Sequence, residues 1–146
     1  MRQLPSQRDS RVIIMSRSDI LRRSIDDFYS EPINRDTLID ILERKDSGIS
    51  LRQIEWFITS YSRKNQTSYV SSDNKIFAVH SSYKSSLDGY SKKLFDPFCR
   101  TAKIDFTIPG TDRIVKTTLA QLNFLKWCQQ KGVIDYMRRH KDSLKR

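Results

Sequence analysis

The sequence predicts a helix-rich α+β domain, and three features lead to that prediction. Apolar residues recur with helical spacing in several segments. Two alternating segments are each followed by a turn and a second short segment, which is the pattern of a β-hairpin. Two hydroxyl side chains stand three positions before a glutamine, as in the capping box that opens a helix. We expect the two hairpins to form one small antiparallel sheet with helices on one face.

The size and composition of the chain fit one globular domain. Its 146 residues are enough to bury a core without metals or disulfides, and 37% of them are hydrophobic. We expect a flexible basic arm over residues 1–17 and a single α+β domain over residues 18–146. No apolar run approaches the roughly 18 residues of a spanning helix, so no transmembrane segment is expected.

Two helices are predicted at the start of the domain. A cap at Ser18 or Asp19 predicts a helix that runs to about Tyr29, with one apolar stripe. Pro32 follows and is expected to stop this helix. A second, short helix is predicted over residues 36–44, with an aspartate as its cap and a glycine-containing turn behind it.

The middle of the chain combines a well-marked helix with a hairpin. Ser50 and Gln53 form a capping box, which predicts a helix that continues to Asn65. Thr67–Val70 and Lys75–Val79 then predict two strands around a polar turn. Two helices, a short turn and a hairpin are also the order of a winged helix, so a DNA-reading helix at 50–65 is one alternative. The other is ordinary packing of a helix beside a hairpin.

The next segment predicts a helix over Tyr83–Leu94, ended by Asp96-Pro97, because proline lacks an amide donor. Lys103–Ile108 and Arg113–Lys116 predict the second hairpin. Alternating apolar residues in its first strand and a Pro-Gly turn make this the clearest β signal in the chain.

Two further helices are predicted at the end of the chain. Thr118 and Gln121 repeat the capping box and open a helix over Leu119–Lys131. Gly132 follows at the position where a left-handed glycine commonly ends a helix. A last helix is predicted from about Val133 to Leu144, with a basic end.

The charge of the chain is high and unevenly distributed. The net charge is +10 and the pI is about 9.8. Residues 25–55 carry eight acidic and four basic side chains, whereas residues 56–104 carry eight basic and three acidic ones. Such a surface favours a polyanion such as nucleic acid, or an acidic protein patch. The same asymmetry would let the basic face of one copy dock on the acidic segment of another.

Candidate binding residues come from two basic segments. In the first, Tyr83, Leu87, Tyr90 and Leu94 share a helical face that is predicted to pack in the core. The cations between and after them are predicted to be exposed, either as a binding surface or as an ordinary solvated face. The predicted nucleic-acid-binding residues are Lys84, Lys92, Lys93, Arg100, Lys103, Arg138, Arg139 and Lys141.

Catalytic and metal-binding signals are weak. The spacing of Cys99 and Cys128 matches no zinc pattern, and no nucleophile elbow or glycine-rich phosphate loop is present. We therefore expect a non-enzymatic protein without a cofactor, in which both cysteines are small core residues. An enzyme that uses His80, Cys99 or Arg100 in a cleft is the remaining alternative.

Several strings in the chain resemble a small basic protein family of nucleocytoplasmic large DNA viruses, the giant viruses. The resemblance is carried by Arg52–Thr59, Tyr90–Arg100 and Thr117–Trp127, with Gly132–Tyr136 behind them. The most distinctive part is Ser-Lys-Lys-Leu-Phe-Asp-Pro-Phe-Cys-Arg. The resemblance implies a viral protein of unassigned biochemistry that is packaged in the particle, and it supplies no catalytic residue.

These observations lead to one functional expectation and one alternative beside the enzyme. We expect a virion protein, present in the host cytoplasm during infection, that binds DNA with little sequence specificity as a homodimer. The alternative is a minor capsid or core protein that acts through protein contacts. The homodimer rests on an excess of large apolar residues, namely Trp56, Phe57, Phe95, Phe98, Phe124 and Trp127.

Overall fold

The computed structural model describes residues 14–43 and 48–145. The predicted arm at 1–17 lies mostly outside these residues, although Arg17 already belongs to the first helix. In chain order the elements are α1 (Arg17–Phe28), α2 (Pro32–Glu43), α3 (Leu51–Trp56, Phe57–Tyr61 and Ser62–Asn65), β1 (Ser68–Val70), β2 (Ile76–Ala78), α4 (Val79–Tyr90), β3 (Ile104–Thr107), β4 (Ile114–Thr117), α5 (Leu119–Gln130) and α6 (Val133–Arg139).

The α+β class is confirmed, and the hairpins form two separate antiparallel sheets. In the β1–β2 hairpin Tyr69 stands opposite Phe77, whose ring packs 5.8 Å from that of Trp127 on α5. In the β3–β4 hairpin Phe106 is buried, with its ring 6.3 Å from that of Tyr29. The prediction of one shared sheet is wrong, because each hairpin buries its aromatic residue against a different helical neighbour.

Helix α1 begins with a capping box that lies two residues before the predicted cap. The Ser16 hydroxyl accepts from the Asp19 amide at 3.0 Å, and the Asp19 carboxylate accepts from the Ser16 amide at 3.3 Å. The predicted caps at Ser18 and Asp19 are therefore wrong, since both residues lie inside the helix. The reciprocal pair satisfies two backbone donors that the helix itself leaves unpaired.

Helix α2 begins at Pro32, four residues before the predicted start at Asp36. The fixed φ of proline suits the first helical position, and its missing amide is one that a helix start leaves unpaired anyway. Pro32 thus opens the second helix rather than only stopping the first. The predicted end at Arg44 and the predicted turn at Asp46-Ser47 lie outside the described residues.

Helix α3 confirms the predicted capping box at Ser50 and Gln53, with both hydrogen bonds present. Its middle turn, Phe57–Tyr61, is π-helical. Ile54 and the first residues of that turn are buried, so this face of the helix packs in the core. The predicted hairpin follows at β1–β2. The winged-helix reading of this order stays a prediction.

Helix α4 spans Val79–Tyr90, so the predicted helix at 83–94 is shifted by four residues. The chain enters it directly from β2. It ends because Ser91 adopts a φ of 64°, which a right-handed helix cannot continue. The prediction that Asp96-Pro97 is the stop is therefore wrong, since the helix ends at Tyr90, six residues before Asp96.

The last two helices follow the sequence closely at their junction. The Thr118 hydroxyl caps α5 by accepting from the Gln121 amide at 3.0 Å. Gly132 has a φ of 77° between the helices, as predicted. Helix α6 ends at Arg139 rather than at Leu144, but Leu144 is still buried and packs in the core.

Most of the large aromatic residues lie inside the protein. The ring of Phe95 lies 5.8 Å from that of Tyr83, 5.5 Å from that of Phe124 and 5.6 Å from that of Trp127. Edge-on and tilted pairs of this kind add to the burial of apolar area. The homodimer expectation loses its basis here, because four of its six residues are buried and the others, Trp56 and Phe98, are half-buried.

Candidate nucleic-acid interface

The first exposed lysines lie in the turn that follows α4. The Ser91 amide donates to the Leu87 carbonyl at 2.7 Å, and the Leu94 amide donates to the Ser91 carbonyl at 3.1 Å. Leu87 and Leu94 pack against the core, as predicted. Lys92 and Lys93 stand between them and are exposed. The turn therefore separates apolar side chains that face inward from lysines that face solvent.

Two buried amide side chains of α5 hold the backbone after this turn. Gln121 Nε2 donates to the Pro97 carbonyl at 2.9 Å, and Asn123 Nδ2 donates to the Leu94 carbonyl at 2.7 Å. Gln121 Oε1 also accepts from Thr117 Oγ1 at 2.6 Å. The sequence assigned Gln121 to a capping box, but its side chain instead fastens two separate segments to α5.

An ion pair between a buried carboxylate and an exposed arginine fixes the end of the same segment. Asp96, whose side chain is 3% exposed, accepts from Arg100 Nε at 2.9 Å and from Arg100 Nη2 at 2.7 Å. The Phe98 amide donates to the same carboxylate at 3.2 Å. Hydrogen bonding and the charge of Asp96 raise the pKa of Arg100. Arg100 therefore holds this turn while its side chain remains 59% exposed, and its predicted role in binding stays a prediction.

Four lysines remain as the free positive charges of the segment 79–103. They are Lys84, Lys92, Lys93 and Lys103, which we call the lysine segment. None of them forms an ion pair with another described residue, although Lys103 Nζ donates to the Cys99 carbonyl at 3.3 Å. Asp88 is the one exposed acidic residue in 79–103, because Asp96 is buried.

Lys84 stands near another cation at the start of α4. The pKa of His80 is lowered by burial and then by the charges of Arg63 and Lys84. Arg63 lies in the last turn of α3 and is exposed. Sequence reasoning did not include Arg63 in the site, because a cation at a helix end is already explained by the helix dipole. Its proximity to α4 becomes visible only in the fold.

The predicted C-terminal cations belong to a different part of the protein. Arg138 lies 3.6 Å from the carboxylate of Asp40 on α2, so its charge is shared. Arg139 and Lys141 are exposed, and Arg139 borders a cavity of about 320 Å³ between β1 and α6. The eight predicted residues therefore form two groups, one on and after α4 and one on and after α6.

Among the cysteines and histidines, Cys99 and His140 lie within hydrogen-bonding distance of other groups, and Cys128 is buried. Cys99 Sγ donates to Gln121 Oε1 at 3.2 Å, and Cys128 is fully buried, which raises the pKa of its thiol. His140 Nδ1 stands 2.9 Å from the Tyr136 carbonyl. Within residues 14–43 and 48–145, no three His, Cys, Asp or Glu side chains are grouped to hold a metal ion. The helices of these same residues include none that is long and apolar enough to span a membrane.

The fold and the site define a small basic α+β protein with an exposed lysine segment. The chain belongs to the family of unknown function DUF7197, whose family model matches residues 3–146. It is 40% identical over 113 residues to the uncharacterized protein L507 of Acanthamoeba polyphaga mimivirus. That match covers 71% of this chain and 42% of the mimivirus protein, so the chain spans less than half the length of that relative. No solved structure matches the chain.

The comparisons support the predicted resemblance at the level of the family. The relative is a giant-virus protein, as the strings around Tyr90–Arg100 indicated. Neither the family description nor the name of the relative assigns a biochemical activity. A binding function must therefore be argued from the residues of this chain.

Proposed function

We propose that the protein is a non-enzymatic giant-virus protein that binds nucleic acid, DNA in particular, through the lysine segment. The observation that carries the proposal is the charge balance of residues 79–103. Asp96 is buried and paired with Arg100, so the four lysines face solvent with Asp88 as the one exposed acid among them. Lysines at short spacing attract phosphates and release the counterions of a duplex.

The same geometry favours binding with little sequence specificity. Base recognition commonly uses arginine pairs to guanine or aromatic side chains that stack on bases. Here Arg100 is engaged with Asp96, while Tyr83 and Phe95 lie in the core. The lysine segment offers flexible point charges, which contact phosphates and carry no sequence information directly.

The C-terminal group is a second cationic contact in the proposal, separate from the lysine segment. Arg139 and Lys141 are exposed and have no ion-pair partner among the described residues, whereas Arg138 contributes less because it lies beside Asp40. We infer that the protein is present in the virion and, during infection, in the host cytoplasm. Mass spectrometry of purified particles tests this location, and absence of the protein from the particles contradicts it.

The experiment compares two variants that lose the same charge. In the first, Lys84, Lys92, Lys93 and Lys103 are each changed to Gln. In the matched control, four exposed lysines elsewhere are changed to Gln, namely Lys75, Lys116, Lys131 and Lys145. Fluorescence anisotropy with a short DNA duplex gives Kd at several salt concentrations. We expect the first variant to bind about tenfold or more weakly than the control.

The salt dependence separates local contacts from a general charge effect. The logarithm of the association constant falls as the logarithm of the salt concentration rises. Each lost phosphate contact makes this slope less steep by about 0.9. The variant of the lysine segment should therefore show a less steep dependence on salt than the control. Changes in the sequence of the duplex should leave Kd nearly unchanged. Equal weakening in both variants would mean that net charge alone attracts DNA. No binding of the parent protein at low salt would exclude the proposal.

A second candidate function is self-association in a viral particle. It is favoured by exposed acidic residues on and between α1 and α2, namely Asp27, Glu31 and Asp36, which the lysine segment of another copy complements in charge. In this case the homodimer forms without DNA and dissociates at high salt. Sedimentation velocity of nucleic-acid-free protein tests it, and a monomer at all salt concentrations contradicts it.

A further inference from the structure

A cavity of about 440 Å³ lies where α3, the β1–β2 hairpin and the start of α4 meet. The last turn of α3 contributes Ser62 and Arg63, and the first turn of α4 contributes His80 and Ser81. None of the described residues that line the cavity is acidic. It is separate from the turn that holds Lys92 and Lys93.

The floor of the cavity includes the start of a twelve-residue helix without a side-chain cap. Ala78 is the N-cap residue of α4, and alanine has no atom that can accept from the first-turn amides. The Val79 amide donates to the Thr67 carbonyl at 3.1 Å. The amides of His80 and Ser81 follow, in the part of a helix that has no internal acceptor and carries the positive end of its dipole.

A buried hydroxyl provides an independent sign of a ligand. Ser62 is 1% exposed, it lines the cavity, and its Oγ has no hydrogen-bond partner among the described residues. Buried hydroxyl groups are nearly always paired, so an unpaired one requires an explanation. Ser62 follows directly on the π-helical turn Phe57–Tyr61, and such turns frequently occur at functional sites.

The charges around the cavity have one sign. Arg63 and His80 both line it, and the charges of Arg63 and Lys84 both lower the pKa of His80. An arginine beside a free helix start is an arrangement that recognises tetrahedral anions, because guanidinium and amide groups both donate to oxygen.

We propose that this cavity binds a phosphate group. Arg63 supplies the charge, the amides of His80 and Ser81 donate to the phosphate oxygens, and the Ser62 hydroxyl completes the set. The proposal does not depend on Lys92, Lys93 or Lys103, to which the proposed function assigns the contact with a polyanion. The phosphate belongs either to a small phosphate compound or to the end of a nucleic-acid strand, and the experiment separates these sources.

The first measurement is a titration of the protein with inorganic phosphate, followed by NMR. The chain contains two histidines, so the imidazole signals of His80 are read against those of His140 as an internal reference. We expect saturable shifts of the His80 and Ser81 amides. A bound anion favours the imidazolium, so the pKa of His80 should rise on binding. Shifts that are absent, or that grow linearly without saturation, would overturn the proposal.

Two variants test the donors, each with a control. Arg63→Gln should weaken phosphate binding about tenfold, whereas Arg52→Gln, an exposed arginine at the other end of α3, should not change it. Ser62→Ala should also weaken binding while leaving the melting temperature unchanged or higher, because it removes an unpaired buried hydroxyl. Unchanged phosphate affinity in both variants would overturn the proposal.

The source of the phosphate is tested with two short single strands of the same sequence, one with a 5′-phosphate and one with a 5′-hydroxyl. Tighter binding of the phosphorylated strand, lost in Arg63→Gln, assigns the cavity to strand ends. Binding of inorganic phosphate without such a difference assigns it to small phosphate compounds and still supports the cavity. The Lys92→Gln/Lys93→Gln variant should keep the phosphate response even if it no longer binds DNA.

Discussion

Tyr83 and Lys84 are neighbours in the sequence, but they lie on different faces of α4 and differ in what surrounds them. Tyr83 packs against Phe95 in the core, whereas Lys84 is exposed and has no ion-pair partner among the described residues. The same division continues after the helix, where Asp96 is buried and Lys92 is exposed. We call these the inner side and the outer side of the segment 79–103. The difference shows that the abundance of charge in a segment does not tell which charges are available.

The comparison between the two sides can be tested by substitution, because each side should control a different property. Changes on the inner side should lower the free energy of unfolding. Changes on the outer side should alter binding and leave that free energy nearly constant.

The largest effect is expected for Phe95→Ala. Phe95 is 1% exposed and contacts several aromatic rings, so its removal leaves a cavity in the core. We expect the free energy of unfolding to fall by about 4 kcal/mol, measured by urea denaturation. Phe98→Ala, at a half-buried position three residues further along the chain, is the control. It should lower the free energy of unfolding clearly less. If both substitutions lower the free energy of unfolding equally, Phe95 is no more deeply packed than Phe98, which contradicts its place on the inner side.

An intermediate effect is expected for Asp96→Asn. The substitution keeps the shape of the side chain but removes the charge that holds Arg100 by two hydrogen bonds. We expect a loss of about 2 kcal/mol in the free energy of unfolding, because hydrogen bonds to charged groups are stronger than neutral ones. Asp88→Asn, on the exposed face of α4, is the matched control and should change stability little. A loss in the control as large as in Asp96→Asn would contradict the structural role of the pair.

A smaller effect, which depends on pH, is expected for the core thiol. Burial raises the pKa of Cys128 above its ordinary value, so the folded protein keeps the proton that the unfolded chain releases. The contribution of this group is therefore fully present below the pKa of the unfolded thiol, about 8.5, and is lost as the pH rises above it. The expected slope is about 1.4 kcal/mol per pH unit for this group. Tyr29, whose pKa burial also raises, adds to the loss at higher pH.

The matched pair Cys128→Ala and Cys99→Ala isolates this contribution. Denaturation between about pH 8 and 10 should show a shallower decline for Cys128→Ala than for Cys99→Ala, which removes a half-buried thiol. Parallel declines in the two variants would contradict the assignment of the slope to the buried thiol.

The sequence predicted the helices and hairpins well where local signals decide them. The capping box at Ser50 and the left-handed Gly132 are both present, because each depends on a few neighbouring residues. The predicted ends of α4 were wrong because the true ends depend on contacts and backbone angles that no local pattern reveals. At its start, Val79 already belongs to the helix, and its amide donates to the carbonyl of Thr67, twelve residues earlier in the chain. At its end, Ser91 adopts a positive φ, which a serine in the sequence does not predict.

The candidate site was predictable in part for the same reason. The exposure of Lys92 and Lys93 follows from their chemistry, since lysines are seldom buried. The pairing of Arg100 with Asp96 depends on how α5 holds the intervening turn, which no local pattern reveals. The grouping of Arg63 with the start of α4 depends on the packing of α3, so sequence reasoning assigned these residues to unrelated features.

The smallest change in stability is expected on the outer side. Changing Lys84, Lys92, Lys93 and Lys103 together to Gln keeps the length of each stem and removes charges that have no ion-pair partner among the described residues. Surface substitutions of this kind usually change stability by less than about 0.5 kcal/mol each, and the loss of mutual repulsion offsets part of that. Urea denaturation of this variant should therefore resemble that of the parent protein, even where its Kd for DNA has risen. If the variant unfolds as readily as Phe95→Ala, the lysines belong to the packing of the segment, and the weakened binding would follow from lost structure rather than from lost phosphate contacts.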